Sequence, residues 1–498
     1  MSNHKTTLGL VVFSIVAIFI VGCIPEDSLQ WSEDGSVGLL KAGDGLYLVD
    51  GKTGELTEVA KGPIDLLPGL SADGTWIAYC ERVECTNLAE GLKRLPPEQV
   101  EAIAEAAEQI AEKIQEAGAL KKNEFPSPDE GPLVLEDYEN WAIRTLCENA
   151  DGALRKIIGP EGINKGSEMP LEYFQVVVVA REAPKKKKIV ATNIFHTFAT
   201  KFSPDGKYIA YLMHTQEGEV SNAYEEFSLH VTATEGDKKV VSVDSCVAFG
   251  YDWRKDSRAI AYLRADSEDL SHDDLILGTL SETVVADANG NLLVESAHDS
   301  AGSDRFTGKT AELAGTMFLP WLKVEYGIGH RIFFSSAALS LPVNKKDEAK
   351  CSLFCYDPVT GTVSDVLPLS VSIHTSQQIL NLSQFSLSPD GKKVLLPVKY
   401  NRFIVYALGT DSMDIPIREE EGFGEEELSE LAPSWKGNNE FSCLVAGKST
   451  FLPKPKDDQD EADRREIVVL GKDGNTLKAW ILSHDWPDEM KRDSQDNQ

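Results

Sequence analysis

The chain has 498 residues, enough for two to four ordinary domains or for one long repeat array. Its composition, 42% hydrophobic and 26% charged, is that of a folded globular protein, and 80 acidic against 49 basic side chains leave a net charge of −31. A polyanion is repelled over most of such a surface, which argues against nucleic acid as a partner; the one basic run, Lys185–Lys188, is short and reads as a solvated hairpin turn between Val-rich runs.

The first 23 residues, MSNHKTTLGLVVFSIVAIFIVGC, pass from a short polar start with Lys5 through an uncharged apolar stretch, Leu8–Val21, to Gly22-Cys23. This is the length and order of a secretory signal peptide, and the apolar stretch is shorter than the about 20 residues a spanning helix needs. With Ile20-Val21-Gly22 ahead of the cysteine, the segment resembles the lipobox of bacterial lipoproteins. The resemblance implies removal of residues 1–22, lipidation of Cys23, and a membrane-anchored protein of the bacterial cell envelope with 23–30 as a short polar tether. Ile24 stands where an inner-membrane retention signal has Asp, so the outer membrane is open as an address. An uncleaved anchor and an ordinary signal peptide with an incidental cysteine are the alternatives.

From residue 31 a pattern recurs: WSEDGSVGLL from Trp31, LSADGTWIAYC from Leu70, KFSPDGKYIAYL from Lys201, WRKDSRAIAYL from Trp253 and LSPDGKKVLLPV from Leu387. Worn copies are WLKVEYGIGHRIFFSS from Trp321 and WKGNNEFSCLV from Trp435. Proline sets the first corner of the turn, Asp bonds the backbone ahead of it and Gly accepts positive φ, so the chain reverses tightly into an apolar strand. The aromatic residue before the turn supplies a large face for packing between repeats. The copies are followed by second hairpins, as GLYLVDGKTGELTEV follows the first and FSLHVTATEGDKKVVSV the third. Two hairpins make a four-stranded sheet, and such sheets repeated along a chain are the blades of an all-β propeller. The repeat FSPDGKYIAY is similar to the hallmark of the PD40, or TolB-like, propellers, a WD40-like group; over residues 31–483 this resemblance implies the fold and says little about activity.

The interval from Ser71 to Ser203 is too long for one blade of about 40 to 50 residues. It holds two candidate closing hairpins, WAIRTLCENADGALRKI and EYFQVVVVAREAPKKKKIVAT. With the first in an insertion the propeller has seven blades, the preferred count; with the first as a degenerate blade it has eight. The insertion is expected at about 86–138, with an amphipathic acidic helix at 97–117 that ends at Gly118 and carries Val100, Ile103, Ala107, Ile110 and Ile114 on one stripe. That helix is expected to pack on its own propeller, the alternative being an extension of the binding face. Residues 484–498 read as a disordered tail.

Seven cysteines follow Cys23, an odd number that cannot all pair internally. Several lie in strand-like runs as small apolar side chains, and one disulfide among Cys80, Cys85 and Cys147 is a candidate because they flank the insertion. Cys351 and Cys355 have no histidine at metal spacing nearby. Enzyme signatures are missing: there is no GxSxG elbow and no HExxH, GKST at Gly447 lacks the upstream glycine of a P-loop, and SADGTW at Ser71 is a residue short of an Asp box. The histidines at 196, 214, 230, 272, 298, 330, 374 and 484 are scattered. His272-Asp273-Asp274 reads as a polar loop, and DANGN at Asp287 as a hairpin turn before a calcium loop. No catalytic residue, metal ligand or cofactor is assigned. The leading reading is an exported, membrane-anchored binding or scaffold propeller for a protein, peptide or envelope glycan. Its rivals are a propeller hydrolase or lyase with carboxylates and histidines at the channel mouth, and a structural component of a surface complex.

Overall fold

The computed structural model describes residues 28–65, 67–116, 136–214, 227–234, 240–264, 280–284, 295–296, 316–317, 323–340, 350–357, 362–366, 385–398, 402–408, 412–414, 434–446, 465–471 and 476–481. The leader with Cys23, the C-terminal tail and the sequence clusters at 272–274 and 287 lie outside the described residues.

The described strands form antiparallel units in chain order. Unit 1 is β1 (Ser28–Trp31), β2 (Val37–Ala42), β3 (Gly45–Asp50) and β4 (Leu56–Lys61). Unit 2 is β5 (Gly69–Leu70), β6 (Trp76–Cys85), β7 (Leu171–Ala180) and β8 (Lys188–Asn193). Unit 3 is β9 (Thr197–Phe202), β10 (Tyr208–His214), β11 (Phe227–Ala233) and the first part of β12 (Val241–Trp253). β12 passes from one sheet into the next, since Val241–Val247 pairs with β11 and Tyr251–Trp253 with β13 (Ala259–Arg264). Unit 4 continues with β14 (Leu280–Val284) and β15 (Glu295–Ser296). The short β16 (Thr316–Met317) pairs with the end of β18 in unit 5, which is β17 (Val324–Tyr326), β18 (Ile332–Ser340), β19 (Lys350–Asp357) and β20 (Thr362–Asp365). Unit 6 is β21 (Ser386–Leu387), β22 (Lys393–Val398), β23 (Arg402–Ala407) and β24 (Ser412–Asp414); unit 7 is β25 (Ser434–Lys436), β26 (Glu440–Ala446), β27 (Arg465–Gly471) and β28 (Thr476–Ile481). β1 opens at Ser28 because Leu29 and Trp31 are buried, so residues 28–30 belong to the first strand and not to the tether.

One turn recurs between the first and second strands of the units. In unit 1 Ser32 Oγ donates to Asp34 Oδ1 (2.7 Å), that carboxylate accepts from Ser36 N (2.9 Å), and Gly35 sits at φ +67°. Ser71-Asp73-Gly74, Ser203-Asp205-Gly206 and Ser388-Asp390-Gly391 repeat the arrangement. Hydrogen bonds from Ser36 and Ser32 hold the Asp34 carboxyl below the usual range. At Asp73, Asp205 and Asp390 burial is the largest effect and pushes upward, but the serine and backbone hydrogen bonds together outweigh it and hold the carboxyl low. The turns are also stitched sideways: Glu33 N donates to Ala72 O (2.9 Å), Asp205 N to Ser257 Oγ (2.8 Å) and Asp390 N to Asn438 Oδ1 (2.9 Å).

The sheets of units 1 to 4 bury faces against their neighbours. Leu39 and Leu46 of unit 1 pack with Ile77, Tyr79 and Val177 of unit 2, and Leu229 and Val231 of unit 3 with Trp253, Ile260 and Tyr262 of unit 4. The last unit meets the first, since β1 lies beside β25 and the Trp31 indole N–H donates to Ser442 Oγ of β26 (2.7 Å) across 411 residues of chain. Lys436 Nζ lies 5.4 Å from the centre of the Trp31 ring, a cation–π contact on the same seam. The array is thus a closed β-propeller, sealed by side-chain packing between two sheets each built from consecutive strands.

The insertion departs from its expected bounds. β6 and β7, ten residues each, pair from Trp76↔Ala180 to Cys85↔Leu171, so everything from 86 to 170 lies between the second and third strands of unit 2 and the end expected near 138 moves to 170. The described part is helical: α1 (Leu88–Leu92), α2 (Pro97–Glu116), α3 (Glu136–Asn149) and α4 (Gly152–Ser167). The segment WAIRTLCENADGALRKI is therefore two helices and no hairpin. Its Asp-Gly pair serves as a helix start, with Asp151 Oδ1 accepting from Ala153 N (2.9 Å) and Leu154 N (2.8 Å). Ile143, Leu146, Cys147, Leu154 and Ile158 close a core with Ala107, Ile110 and Ile114 of α2. Trp141, Ile103 and Leu95 pack on Leu171, Tyr173 and Phe195 of the propeller, Trp141 Nε1 donates to Glu172 O (3.0 Å), and Gln99 Oε1 accepts from Ile194 N (2.9 Å).

Truncating Trp31 to Ala is expected to cost about 3–5 kcal/mol and Trp31→Phe less, with about 1–3 kcal/mol from leaving Ser442 unanswered. Thermal unfolding reads the order of the two variants, and amide exchange is expected to rise in β1 and β25 before it rises in β10 and β11.

Candidate functional site

A propeller has a central channel lined by the first strand of each unit, and here described polar side chains of those strands bind the backbone of the neighbouring unit. Gln30 Oε1 accepts from Leu70 N (3.1 Å), Asp252 Oδ2 from Tyr326 N (2.8 Å) and Glu325 Oε2 from Leu387 N (2.6 Å). Lys201 Nζ donates to Tyr251 O (2.8 Å) and pairs with Asp252 (3.2 Å), and Lys323 pairs with Glu325 (2.7 Å). Trp253 and Trp435 donate their indole N–H groups to Lys201 O (3.2 Å) and Ser386 O (2.9 Å) of the preceding units. Asp252 and Glu325 are thus structural acceptors already countered by lysines, not free acids or bases. At the turn end Lys255 of unit 4 reaches Glu33 of unit 1 (3.6 Å), a pair between units that are not neighbours.

The constellation that is not absorbed in this way lies at the opposite end, where the insertion stands. The connection from β4 to β5 runs beside β6: Ile64 bridges Glu81, Asp65 N donates to Cys80 O (2.9 Å) and Arg82 N to Pro63 O (3.1 Å). This fixes Asp65 against His196, which lies in the connection from β8 to β9, with Nε2 and Oδ1 2.6 Å apart. The imidazole sits between the rings of Phe174 (5.1 Å between centroids) and Phe198 (5.2 Å), and 42% of its side chain is exposed. Asp65 Oδ2 is buried with no hydrogen-bond donor, and among the described residues nothing bonds His196 Nδ1. Of the three described non-glycine residues at positive φ, Leu67 (+56°) and Ala199 (+54°) flank this pair in sequence, and Thr200 N donates to Leu67 O (3.0 Å) across the same seam. Strained backbone of this kind is held only where the surroundings over-determine it. A carboxylate that orients a half-exposed imidazole is the arrangement of a general base or of a hydrogen-bonding ligand site.

Of the histidines in the sequence, the fold brings His196 and His214 together through backbone, His214 N donating to His196 O (2.9 Å). His230 is apart from them, stacked on Tyr211 (5.5 Å) and 2.7 Å from Ser228 Oγ; burial pushes its pKa down to about 4. Among the described residues no group of three or more His, Cys, Asp or Glu side chains could hold a metal. The disulfide expected among Cys80, Cys85 and Cys147 does not form: none of the three is bonded to another cysteine, and they sit in separate packing groups. Burial pushes the Cys147 and Cys355 thiols up to about 11 and raises those of Cys80 and Cys443 as well, so they behave as small apolar side chains. Asp65 and His196 stand 131 positions apart, and no motif in the sequence joins them.

No protein-family model matches the sequence, and no curated protein matches it. Among solved structures the chain is similar to TolB from Acinetobacter baumannii, at 12% identity over 61% of this chain and 58% of that one, with a TM-score of 0.32. It is similar to the β-propeller domain of the Trilobed protease from Pyrococcus furiosus (10% identity, 91% and 95% covered, TM-score 0.42). It is also similar to oligogalacturonate lyase from Vibrio parahaemolyticus (9% identity, 86% and 87% covered, TM-score 0.43). The likeness is one of fold, and the chain spans less than two thirds of the TolB chain's length.

The half-buried His230 gives a pH signature. Above its ordinary value of 6.5 it is neutral folded and unfolded; below that the unfolded chain takes up the proton first, so stability is lost as pH falls from about 6.5 towards about 4. Melting curves across that range are expected to slope downward in the native protein, and less steeply in His230→Phe.

Proposed function

We propose that the protein is an exported, lipid-anchored propeller of the bacterial cell envelope that serves as a binding or scaffold module for a protein, peptide or glycan. The observation that carries this reading is the leader ending in Gly22-Cys23 immediately ahead of the ring, whose first strand opens at Ser28. Five residues extend at most about 18 Å. Ser28 begins the strand that leads into the first turn, and Cys85 ends the strand that leaves the second, so both lie at the end of the ring away from the turns. An acyl anchor on Cys23 therefore holds the insertion end near the bilayer and turns the other end outward. Among the described residues no helix is long and apolar enough to cross a membrane. The binding role is supported by the channel carboxylates Asp252 and Glu325 being engaged in holding units together.

The test of the anchor is metabolic labelling with a fatty acid in a bacterial host. The native chain is expected to take up label and to sediment with membranes, whereas Cys23→Ser takes up none and is released on lysis; an unlabelled native chain would end the lipoprotein reading.

The Asp65–His196 pair favours a second reading, a hydrolase or lyase in which His196 removes a proton and Asp65 orients it. Activity against peptide and polysaccharide panels is then expected to fall by about 10²–10⁴-fold in His196→Ala, with the melting temperature little changed because the imidazole is 42% exposed. A panel on which the native protein turns over nothing leaves the binding module as the function.

A further inference from the structure

The two ends of the ring differ in charge. At the insertion end the exposed side of α2 carries Glu98, Glu101, Glu105, Glu108 and Glu112, in keeping with the net charge of −31. The turn end gathers cations. Backbone hydrogen bonds hold the hairpin tips against the recurring turns there: Arg181 N donates to Thr75 O (2.8 Å) in unit 2 and Thr234 N to Lys207 O (2.8 Å) in unit 3. The run Lys185–Lys188 is thereby placed at the tip of the β7–β8 hairpin and tied down at its second half, with Lys187 Nζ on Glu81 (2.5 Å) and Lys188 Nζ donating to Thr234 O of the next unit (2.7 Å). Lys185, Lys186 and Arg181 are left exposed, and among the described residues they make no ion pair. Lys207, exposed but paired with Asp205 (3.1 Å), and the exposed Arg258 continue the strip through units 3 and 4. Its acids are Glu182, exposed beside Arg181, and the aspartates Asp73, Asp205 and Asp256, which each accept a backbone N–H of their own turn, with Asp205 and Asp256 also paired to Lys207 (3.1 Å) and Arg254 (2.9 Å).

We propose that this strip, along the turn end of units 2 to 4, docks an acidic glycan chain through its carboxylates or phosphates. An anion approaching this molecule is repelled by most of its surface and is steered to an arc on which Arg181, Lys185, Lys186 and Arg258 are exposed. Among the described residues the strip offers one partly exposed aromatic, Trp76, and no cluster of the aromatic anchors that give a protein interface its affinity. Tyr208 and Trp253 are buried under the turns, and Ile189 is its only large apolar side chain exposed among the described residues. A ridge of pinned backbone with the exposed heads of Lys185 and Lys186 suits a hydrated linear polymer. The inference deepens the binding-module reading and rests on it only for where such a polymer is met, since the outward end of an anchored ring is this one.

Binding of the full-length chain in detergent would be measured by interferometry to polygalacturonate, a phosphomannan, neutral dextran and duplex DNA. Lys185→Glu/Lys186→Glu is compared with Lys113→Glu/Lys165→Glu, an equal charge change among exposed lysines of the insertion. Expected are binding to one or both acidic glycans that weakens with salt, roughly 10-fold loss in the first variant and little change in the second. Binding to polygalacturonate alone assigns carboxylates, and to phosphomannan alone phosphates. No binding to either glycan, equal loss in both variants, or equal affinity for DNA would overturn the proposal. The readout does not depend on acylation, so a failed labelling of Cys23 leaves it standing and its own failure leaves the anchor untouched.

Discussion

The inner strand of a propeller unit has one edge with no partner strand, and its outward N–H groups must be answered by something. In this protein the neighbouring unit answers them with side chains: Gln30, Asp252 and Glu325 accept from Leu70, Tyr326 and Leu387. Indole groups add the reverse connection, from Trp253 to Lys201 and from Trp435 to Ser386. The sheets are thus held in a ring by hydrophobic faces and by a polar collar around the channel. An unanswered buried N–H costs about 1–3 kcal/mol, so the collar constrains which residues the inner strands can carry.

That constraint bears on function. The described inner-strand carboxylates Asp252 and Glu325 are engaged in assembly, with lysines beside them, which leaves the two ends for recognition in the proposed reading. At one end a helical layer is docked on the extended β6–β7 ribbon, beside an oriented histidine at a strained seam. At the other, the turns that define the repeat carry the lysines of the hairpin tips. The ends are chemically distinct, one acidic and apolar-cored, the other a lattice of backbone-capped turns.

The turns themselves were legible because their chemistry is local. Ser, Asp and Gly at fixed spacing bond one another within five residues, and the structure places these bonds where the sequence pattern puts the repeat. Unit 4 shows how far the pattern bends: Ser257 holds φ +63° where the other turns have glycine, and its hydroxyl accepts from Asp205 N of the neighbouring turn. A glycine there would relieve the backbone and lose the bond.

What the sequence determined by itself was the repeating turn-and-strand unit, the resulting all-β architecture and the amphipathic α2, all features fixed by neighbours within one or two turns of chain. Tertiary structure decided the rest. Asp151-Gly152 reads equally as a hairpin corner or a helix cap, and only the apolar contacts of Leu146, Leu154 and Ile158 with α2 select the helix. The separate burial of Cys80, Cys85 and Cys147, the meeting of Trp31 with Ser442 and of Asp65 with His196 depend on how sheets far apart in the chain face one another, and that is set by ring closure, which no local pattern encodes.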